Sequence, residues 1–334
     1  MPTPLAPDFR PQYHEIHRVG RPGEWRSIVG ALLLLLLVFV VVPLIVGGLF
    51  FAGLMATGYS AEDAGAVLDV TAEATPAGLA LLNVVIAAAI PLTFAVTWWL
   101  HRLKPRWVSS VRPRLRWGYL LVCIPRAVVA LVASVGVGLL LPLAPGESPV
   151  GQVNEFTSRT RDFLLVILLL TPLQAAGEEY LFRGYLTQAF GSLRVARRTS
   201  QALAVLGPAL IFALFHGFSQ DPPVFFDRFA FGVVAGILVI RTGGLEAAIA
   251  MHVLNNFLAF GLALAFGDLT TALNATGGSS WWMILSTLTQ SLVYLGLAMW
   301  VAKAMGVATQ GPPVGGVQRP PAGHPILDAP PPRV

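Results

Sequence analysis

Residues 28–54 read IVGALLLLLLVFVVVPLIVGGLFFAGL and contain no charged side chain. A helix needs roughly 20 apolar residues to cross a hydrocarbon core of about 30 Å, so this run is long enough. A helix also satisfies its own backbone hydrogen bonds, which hydrocarbon requires because it offers no water. The run therefore predicts a transmembrane helix, and the rest of the chain is interpreted from it.

Seven further apolar runs follow the first. They lie at 77–100, 118–142, 162–190, 201–218, 224–240, 244–266 and 281–304. Of the 334 residues, 55% are hydrophobic and 12% are charged, whereas soluble domains carry about 25% charged residues. We therefore expect an all-α, polytopic transmembrane helical bundle of about eight spans.

Basic residues are distributed unevenly between the connecting segments. The first 27 residues and the segments 102–116 and 194–198 hold many of the Lys and Arg, while the segment 55–76 holds acidic residues and no basic ones. Loops rich in Lys and Arg remain in the cytoplasm. This alternation predicts an integral membrane protein with both termini in the cytoplasm.

The composition divides the chain into three parts. Residues 1–27 are expected to form a cytoplasmic tail, 28–306 the helical bundle, and 307–334 a disordered tail rich in Pro and Gly. Cys123 is the only cysteine, which excludes an intramolecular disulfide.

The net charge of +5 does not indicate nucleic-acid binding, because the basic residues lie in short loops between apolar runs and not on one face of a soluble domain. The expected partners are the lipid bilayer and a peptide or membrane-protein substrate. The sequence leaves the oligomeric state open.

The fourth run becomes polar near its end, in the stretch QAAGEEYLFRG at 174–184. An ionisable side chain at the centre of a membrane helix costs about 2.5–3.5 kcal/mol, so it needs a partner or a function. Glu179 and Arg183 share a helix face and can form an ion pair. Glu178 points about 100° away and can face the bundle interior. The alternative is an ion-pair cluster at the membrane edge, with Glu178 facing water.

Two histidines occur in later runs, each paired with a residue four positions away. Phe212 and His216 lie in the fifth run, and His252 and Asn256 in the seventh. At this spacing two side chains share one helix face. Taken alone, each histidine has a structural interpretation, as a hydrogen-bond partner of a carbonyl or as a polar contact between helices.

Together these groups favour a chemical function. Combined with Glu178, two imidazoles and a carboxamide can position and deprotonate one water molecule and stabilise an oxyanion. Glu178, His216 and His252 are also candidate ligands for a divalent metal such as zinc, which would activate water as a Lewis acid. The HExxH motif does not occur in the sequence, so the metal hypothesis rests on residue types alone and stays open.

The three motifs resemble the CPBP family of intramembrane proteases. That family includes the type II CAAX prenyl endopeptidase and bacterial proteins linked to bacteriocin self-immunity. Its pattern is EExxxR, then FxxxH, then HxxxN, and all three occur in this order within about 160–262. The resemblance implies an endopeptidase that hydrolyses a peptide bond in or near the membrane.

The resemblance also implies roles for single residues. Glu178 would be the general base, assisted by His216, while His252 and Asn256 would stabilise the oxyanion. The supporting residues would be Glu179, Arg183 and Phe212. We expect the four principal side chains to line one cavity that opens toward the cytoplasm.

Two other functions fit the same residues. A proton-coupled secondary transporter could use the carboxylates and histidines as a proton relay, although it would favour repeated halves with broken helices. A non-catalytic membrane scaffold or immunity protein could keep the fold without the chemistry.

Overall fold

The computed structural model describes residues 8–21, 23–142, 152–193, 195–217, 220–274 and 280–314. Eight helices in these ranges are long and apolar enough to cross a membrane, and the described residues form no β-strand. The prediction of an all-α, eight-span bundle is confirmed. The spans are α1 Glu24–Ala56, α2 Pro76–His101, α3 Trp117–Gly138, α4 Ser158–Gly191, α5 Arg197–Phe215, α6 Pro222–Thr242, α7 Glu246–Phe266 and α8 Met283–Ala304.

Shorter helices occupy several of the connections. They are the 3₁₀ turns Tyr13–Arg18 and Pro105–Val108 and the α-helices Ala61–Leu68 and Leu269–Asn274. With eight crossings, both termini lie on one face, which we call the terminal face. The helices Ala61–Leu68 and Leu269–Asn274 follow odd-numbered spans, so they lie on the opposite face, which we call the distal face.

Helix α4 lies at the centre of the bundle and is not a regular α-helix. Its segment Glu179–Leu186 is a π-helix in which all eight residues are buried. A helix that is buried on every side belongs to a core, and π-helical turns occur frequently at functional sites. The sequence predicts an ordinary helix here, because the extra residue per turn leaves no signature in the hydrophobic pattern.

Buried contacts join the elements of the terminal face, and the segment expected to be an N-terminal tail takes part in them. Residues 13–17 are buried, and Arg18 Nη2 donates to the carbonyls of Gly191 at 2.9 Å and Leu193 at 3.1 Å. A cation is favourable there because the last carbonyls of a helix carry partial negative charge. The N-terminal segment therefore caps the end of α4.

The C-terminal segment is also ordered over its first residues. Residues 307–314, expected to be disordered, run beside the N-terminal segment, with Gly311 N donating to Pro11 O at 2.9 Å and Val314 N to Phe9 O at 3.0 Å. Composition alone predicts disorder for a segment without backbone partners, and the partners here are some 300 positions away along the chain. The rest of the expected tail, 315–334, lies outside the described residues.

A buried ion pair fixes the start of α7 on the terminal face. Arg116 donates from Nε to Glu246 Oε1 at 2.8 Å and from Nη2 to Oε2 at 2.6 Å. Its Nη1 also donates to Thr242 O and Ala308 O, both at 3.0 Å. This bidentate arrangement has the geometry that makes Arg–carboxylate pairs strong. It links α3, α6, α7 and the C-terminal segment.

The distal half of α1 packs much less closely. A π-helical turn at Leu37–Val41 precedes Pro43, whose ring removes a backbone donor and disfavours a regular turn. Beyond it, Val42–Ala56 has no buried residue. This half of the helix extends along the side of the bundle, where its exposed apolar side chains are suited to lipid.

Candidate active site

The four principal side chains predicted from the sequence line one cavity of about 590 Å³. Glu178 comes from the last turn of α4 before its π-helical segment, and His216 follows the end of α5. His252 and Asn256 lie one turn apart on α7. Four polar groups from three helices thus surround a volume large enough for a water molecule and a peptide segment.

His252 lies between the two adjacent carboxylates. Its Nδ1 is 2.7 Å from Glu179 Oε1, in hydrogen-bond geometry, and its Nε2 is 3.1 Å from Glu178 Oε2. All three side chains are at least nine-tenths buried. The sequence analysis paired Glu178 with His216, whereas the structure places His252 in direct contact with it.

Arg183 balances part of the negative charge. Its Nη1 is 3.1 Å from Glu179 Oε1, as the four-residue spacing predicts, and its guanidinium lies 4.0 Å from the centre of the Phe212 ring. Cation–π contacts of this kind are stronger when the cation is desolvated, and Arg183 is only 1% exposed. Phe212 therefore covers the ion pair on one side.

The cluster of Glu178, Glu179, Arg183 and His252 needs one further proton to be electrically neutral. Two carboxylates and one guanidinium leave a net charge of −1, and uncompensated charge is costly in a desolvated site. A proton on either Glu178 or His252 brings the cluster to neutrality. Because the two groups are in contact, that proton can pass between them without crossing the cavity.

His216 presents a defined nitrogen to the cavity. Its Nδ1 is 2.8 Å from Phe212 O, and a carbonyl only accepts, so Nδ1 carries the proton. In the neutral ring Nε2 is then an acceptor. The turn that follows is held by Arg228, whose Nη1 donates to Gln220 Oε1 at 2.7 Å.

Gln174 is a polar residue of the site that the sequence analysis missed. Asn256 Nδ2 donates to Gln174 Oε1 at 3.0 Å, and both residues line the cavity. One Nδ2 hydrogen of Asn256 is thereby committed, while the second remains available. Gln174 lies four residues before Glu178 on α4, so the two side chains share one face of the helix. That spacing could have identified Gln174 as a residue of the site.

The metal hypothesis does not fit the donor set as it is arranged. Both ring nitrogens of His252 face carboxylates, and Nδ1 of His216 faces the Phe212 carbonyl. Of the four imidazole nitrogens of these two histidines, only His216 Nε2 is then available to bind an ion. Zinc sites use three or four ligands at about 2.0–2.3 Å. Among the described residues, no three His, Cys, Asp or Glu side chains are placed to hold a metal ion.

The cavity extends toward the distal face. Its lining includes Leu68 at the end of the distal helix 61–68, Val70 just after that helix, Gly78 in the first turn of α2, and Leu273 of the other distal helix. We expected both termini and the opening of the cavity to lie on the cytoplasmic side. The lining of the cavity instead extends to the connections on the face opposite the termini.

Comparison with known proteins supports the resemblance seen in the sequence. Residues 160–258 match the family described as Type II CAAX prenyl endopeptidase Rce1-like. This part of the chain is similar to that family over about a third of the chain's length. The match contains all three motifs and supports a protease at the level of the family, and the recognition made from the motifs is confirmed. No solved structure matches the chain.

A curated relative also matches part of the chain. Over 170 residues the chain is 28% identical to the uncharacterized protein YyaK of Bacillus subtilis (strain 168). The match covers 48% of this chain and 56% of the relative, so the chain spans about half the length of that protein. The relative's description states no activity.

Proposed function

We propose that the protein is an intramembrane endopeptidase of a bacterial plasma membrane that hydrolyses a peptide or membrane-protein substrate. The observation that carries this proposal is the contact between Glu178 and His252 at 3.1 Å inside a cavity shared with His216 and Asn256. A relay, a scaffold or a transporter does not require a carboxylate, two imidazoles and an amide around one volume.

Glu178 is the general base of the proposed reaction. It takes a proton from a water molecule whose oxygen attacks the carbonyl carbon of the scissile bond, and His216 Nε2 orients that water by accepting a hydrogen bond from its other O–H, which stays on the oxygen. The tetrahedral intermediate then collapses, the C–N bond breaks, and the proton passes from Glu178 to the leaving amine. The products are a carboxylic acid and an amine.

The intermediate needs a hydrogen-bond donor for its oxyanion. Asn256 supplies its second Nδ2 hydrogen, while Gln174 holds the amide in one orientation. His252 contributes positive charge beside the oxyanion when it carries the shared proton, and Glu179 keeps its ring in place. This assigns His252 two tasks, charge compensation of Glu178 and stabilisation of the intermediate.

The decisive test is hydrolysis in water enriched in oxygen-18. The purified protein in detergent is incubated with a mixture of peptides that each contain one transmembrane segment, and the products are analysed by mass spectrometry. An endopeptidase places one heavy oxygen in each new C-terminal carboxylate. Glu178→Gln should lower the cleavage rate by about 10²–10⁴-fold, the usual contribution of a general base.

A matched control uses the same substitution outside the site. Glu62 is exposed on the distal helix 61–68, so Glu62→Gln should leave the cleavage rate unchanged. Equal activity in Glu178→Gln and Glu62→Gln would refute the proposed base. Proton-coupled flux in liposomes without heavy-oxygen incorporation would instead favour the transporter.

We further propose that hydrolysis needs no divalent metal, because the two nitrogens of His252 are engaged by Glu178 and Glu179. Cleavage should persist after dialysis against a zinc chelator. Loss of cleavage with the chelator and its recovery on adding zinc would show that the side chains rearrange around an ion.

A further inference from the structure

The cavity is closed toward the terminal face. Phe182, Phe212 and Phe231 line that end, each no more than 6% exposed. Behind them lie the π-helical residues Tyr185 and Leu186, both fully buried. Interiors packed at this density contain few voids larger than a water molecule. A peptide therefore has no path to Glu178 through this side of the described structure.

The other end of the cavity reaches the distal face. Residues of both distal helical connections, such as Val70 and Ala272, lie on the same cavity wall as the site. Thr287 of α8 also lies on this wall. The site thus communicates with the face that carries the helices 61–68 and 269–274.

The charge distribution shows which side of the membrane that face occupies. At the terminal ends of the spans and in the loops beside them, the described basic residues include Arg18, those of the segment 102–116 and Lys303. At the distal ends, the first turn of α4 carries Arg159 and Arg161, and the distal connections carry several acidic residues. Loops enriched in Lys and Arg stay in the cytoplasm. The distal face is then extracytoplasmic.

From these two observations we propose that the site is served from the extracytoplasmic side. The substrate class is a peptide segment of an exported or membrane protein that is exposed outside the cytoplasm. The assignment of a substrate rests on the proposed peptidase function, but the direction of access does not, since it follows from the cavity and the charges alone.

The chain suits a cysteine-labelling test, because its single cysteine, Cys123, is fully buried. Three single-cysteine variants are made in a Cys123→Ser background and expressed in intact cells. Ala272→Cys replaces an exposed residue of the distal helix 269–274 and Thr287→Cys a partly buried residue of α8, both of which line the cavity, and Lys303→Cys replaces an exposed residue at the terminal end of α8. The probe is a charged methanethiosulfonate that does not cross membranes.

Ala272→Cys and Thr287→Cys should react in intact cells, while Lys303→Cys should react only after the cells are permeabilised. Since thiol reactivity follows access to water, we expect a difference of about ten-fold or more in labelling rate. The reverse pattern would overturn the proposal, as would a Thr287→Cys variant that reacts from neither side. The two cavity positions lie on separate helices, so the direction of access can still be measured with one variant if the other fails to fold.

The same labelling with Glu178→Gln separates this inference from the proposed function. That substitution removes the base and leaves the cavity walls in place, so external labelling should be unchanged. If heavy oxygen is never incorporated but external labelling persists, the peptidase proposal fails and the direction of access stands. If cleavage occurs but labelling comes from the cytoplasm, the direction of access fails alone.

Discussion

Two Arg–Glu pairs, one on each face, show how differently the two halves of this molecule are built. Arg116 and Glu246 on the terminal face are 12% and 0% exposed. The Arg116 guanidinium and backbone amide both donate to the Glu246 carboxylate, and the guanidinium also donates to two backbone carbonyls. Arg159 and Glu73 on the distal face are 52% and 65% exposed. The same chemistry is a structural anchor on one face and a solvated contact on the other.

The difference teaches where rigidity is placed relative to the site. The terminal half holds the ends of α4 and α7, which carry Glu178 and His252, through buried polar contacts. The distal half leaves a cavity and a half-helix, Val42–Ala56, without buried residues. A catalytic group must be held in position, and the buried contacts of the terminal half do this. Its substrate needs space, which the cavity in the distal half provides.

The largest expected effect comes from breaking the buried ion pair. Glu246→Ala leaves Arg116 with an uncompensated charge, and removing one partner of a buried pair costs about 3–5 kcal/mol. Thermal unfolding in detergent should show a clear drop in the midpoint. Glu73→Ala, at the exposed pair, should cost less than about 1 kcal/mol. Similar drops in both variants would contradict the contrast between the faces.

A second comparison lies within one helix. Leu34 in the terminal half of α1 is fully buried and Leu49 in the distal half is 68% exposed. Leu34→Ala should lower the free energy of unfolding by about 2–4 kcal/mol through lost packing, whereas Leu49→Ala should change it by no more than about 0.5 kcal/mol. Denaturation of the purified variants by sodium dodecyl sulfate measures both. Equal losses would mean that the distal half of α1 packs against protein.

Two glycines provide a third comparison. A Cβ at Gly177 would collide with the carbonyl of Ile86, while a Cβ at Gly48 would meet no atom within 4 Å. Gly177→Ala should cost about 1–3 kcal/mol because backbone atoms must move, and it should slow cleavage because Glu178 is the next residue. Gly48→Ala should be neutral or slightly stabilising, by up to about 1 kcal/mol. The comparison is tested by measuring the unfolding midpoint and the cleavage rate of Gly177→Ala and of Gly48→Ala. Equal values for the two variants would contradict it.

The smallest expected effect is a pH response confined to the terminal face. Burial, aided by the positive charges of Arg18 and Arg197, lowers the pKa of His14 to about 4. Since the unfolded segment binds the proton more tightly, the stability of the N-terminal segment falls as pH drops from 6.5 toward 4. The loss is about 1.4 kcal/mol near pH 5.5. Burial also lowers the pKa of His17, which adds in the same direction.

Hydrogen exchange of residues 13–17 at two pH values measures this loss. Protection should decrease at the lower pH, and His14→Phe should weaken the response. On the distal face, hydrogen bonds from Thr71 lower the pKa of Asp69, so any change there is confined to more acidic conditions, below about pH 4. A loss of protection near pH 5.5 on the distal face would contradict the comparison.

Much of the site could be predicted because its motifs are local. The spacing of Glu179 and Arg183 places them on one face of any helix, and the structure shows them 3.1 Å apart. The partner of Glu178 could not be predicted in this way. His216 and His252 lie on different helices, and which of them reaches the carboxylate depends on how those helices rotate and slide against α4.

The contact of Gln174 with Asn256 and the backbone partners of residues 307–314 were not predicted, for related reasons. A glutamine at the end of an apolar run has no distinctive pattern, and its contact with Asn256 exists only because α4 and α7 pack together. Residues 307–314 have the composition of a disordered segment, yet they find backbone partners beside Pro11. Composition describes a segment in isolation and carries no information on such partners.

By itself, the sequence determined the eight helices, the order of the three motifs and the uneven distribution of basic residues, since the length of an apolar run and the spacing along a helix are local properties. Only the tertiary structure decided that His252 contacts Glu178, that Gln174 orients Asn256, and that the cavity reaches the distal face. These features depend on the depth and rotation of each helix, which are set by contacts between residues far apart in the chain.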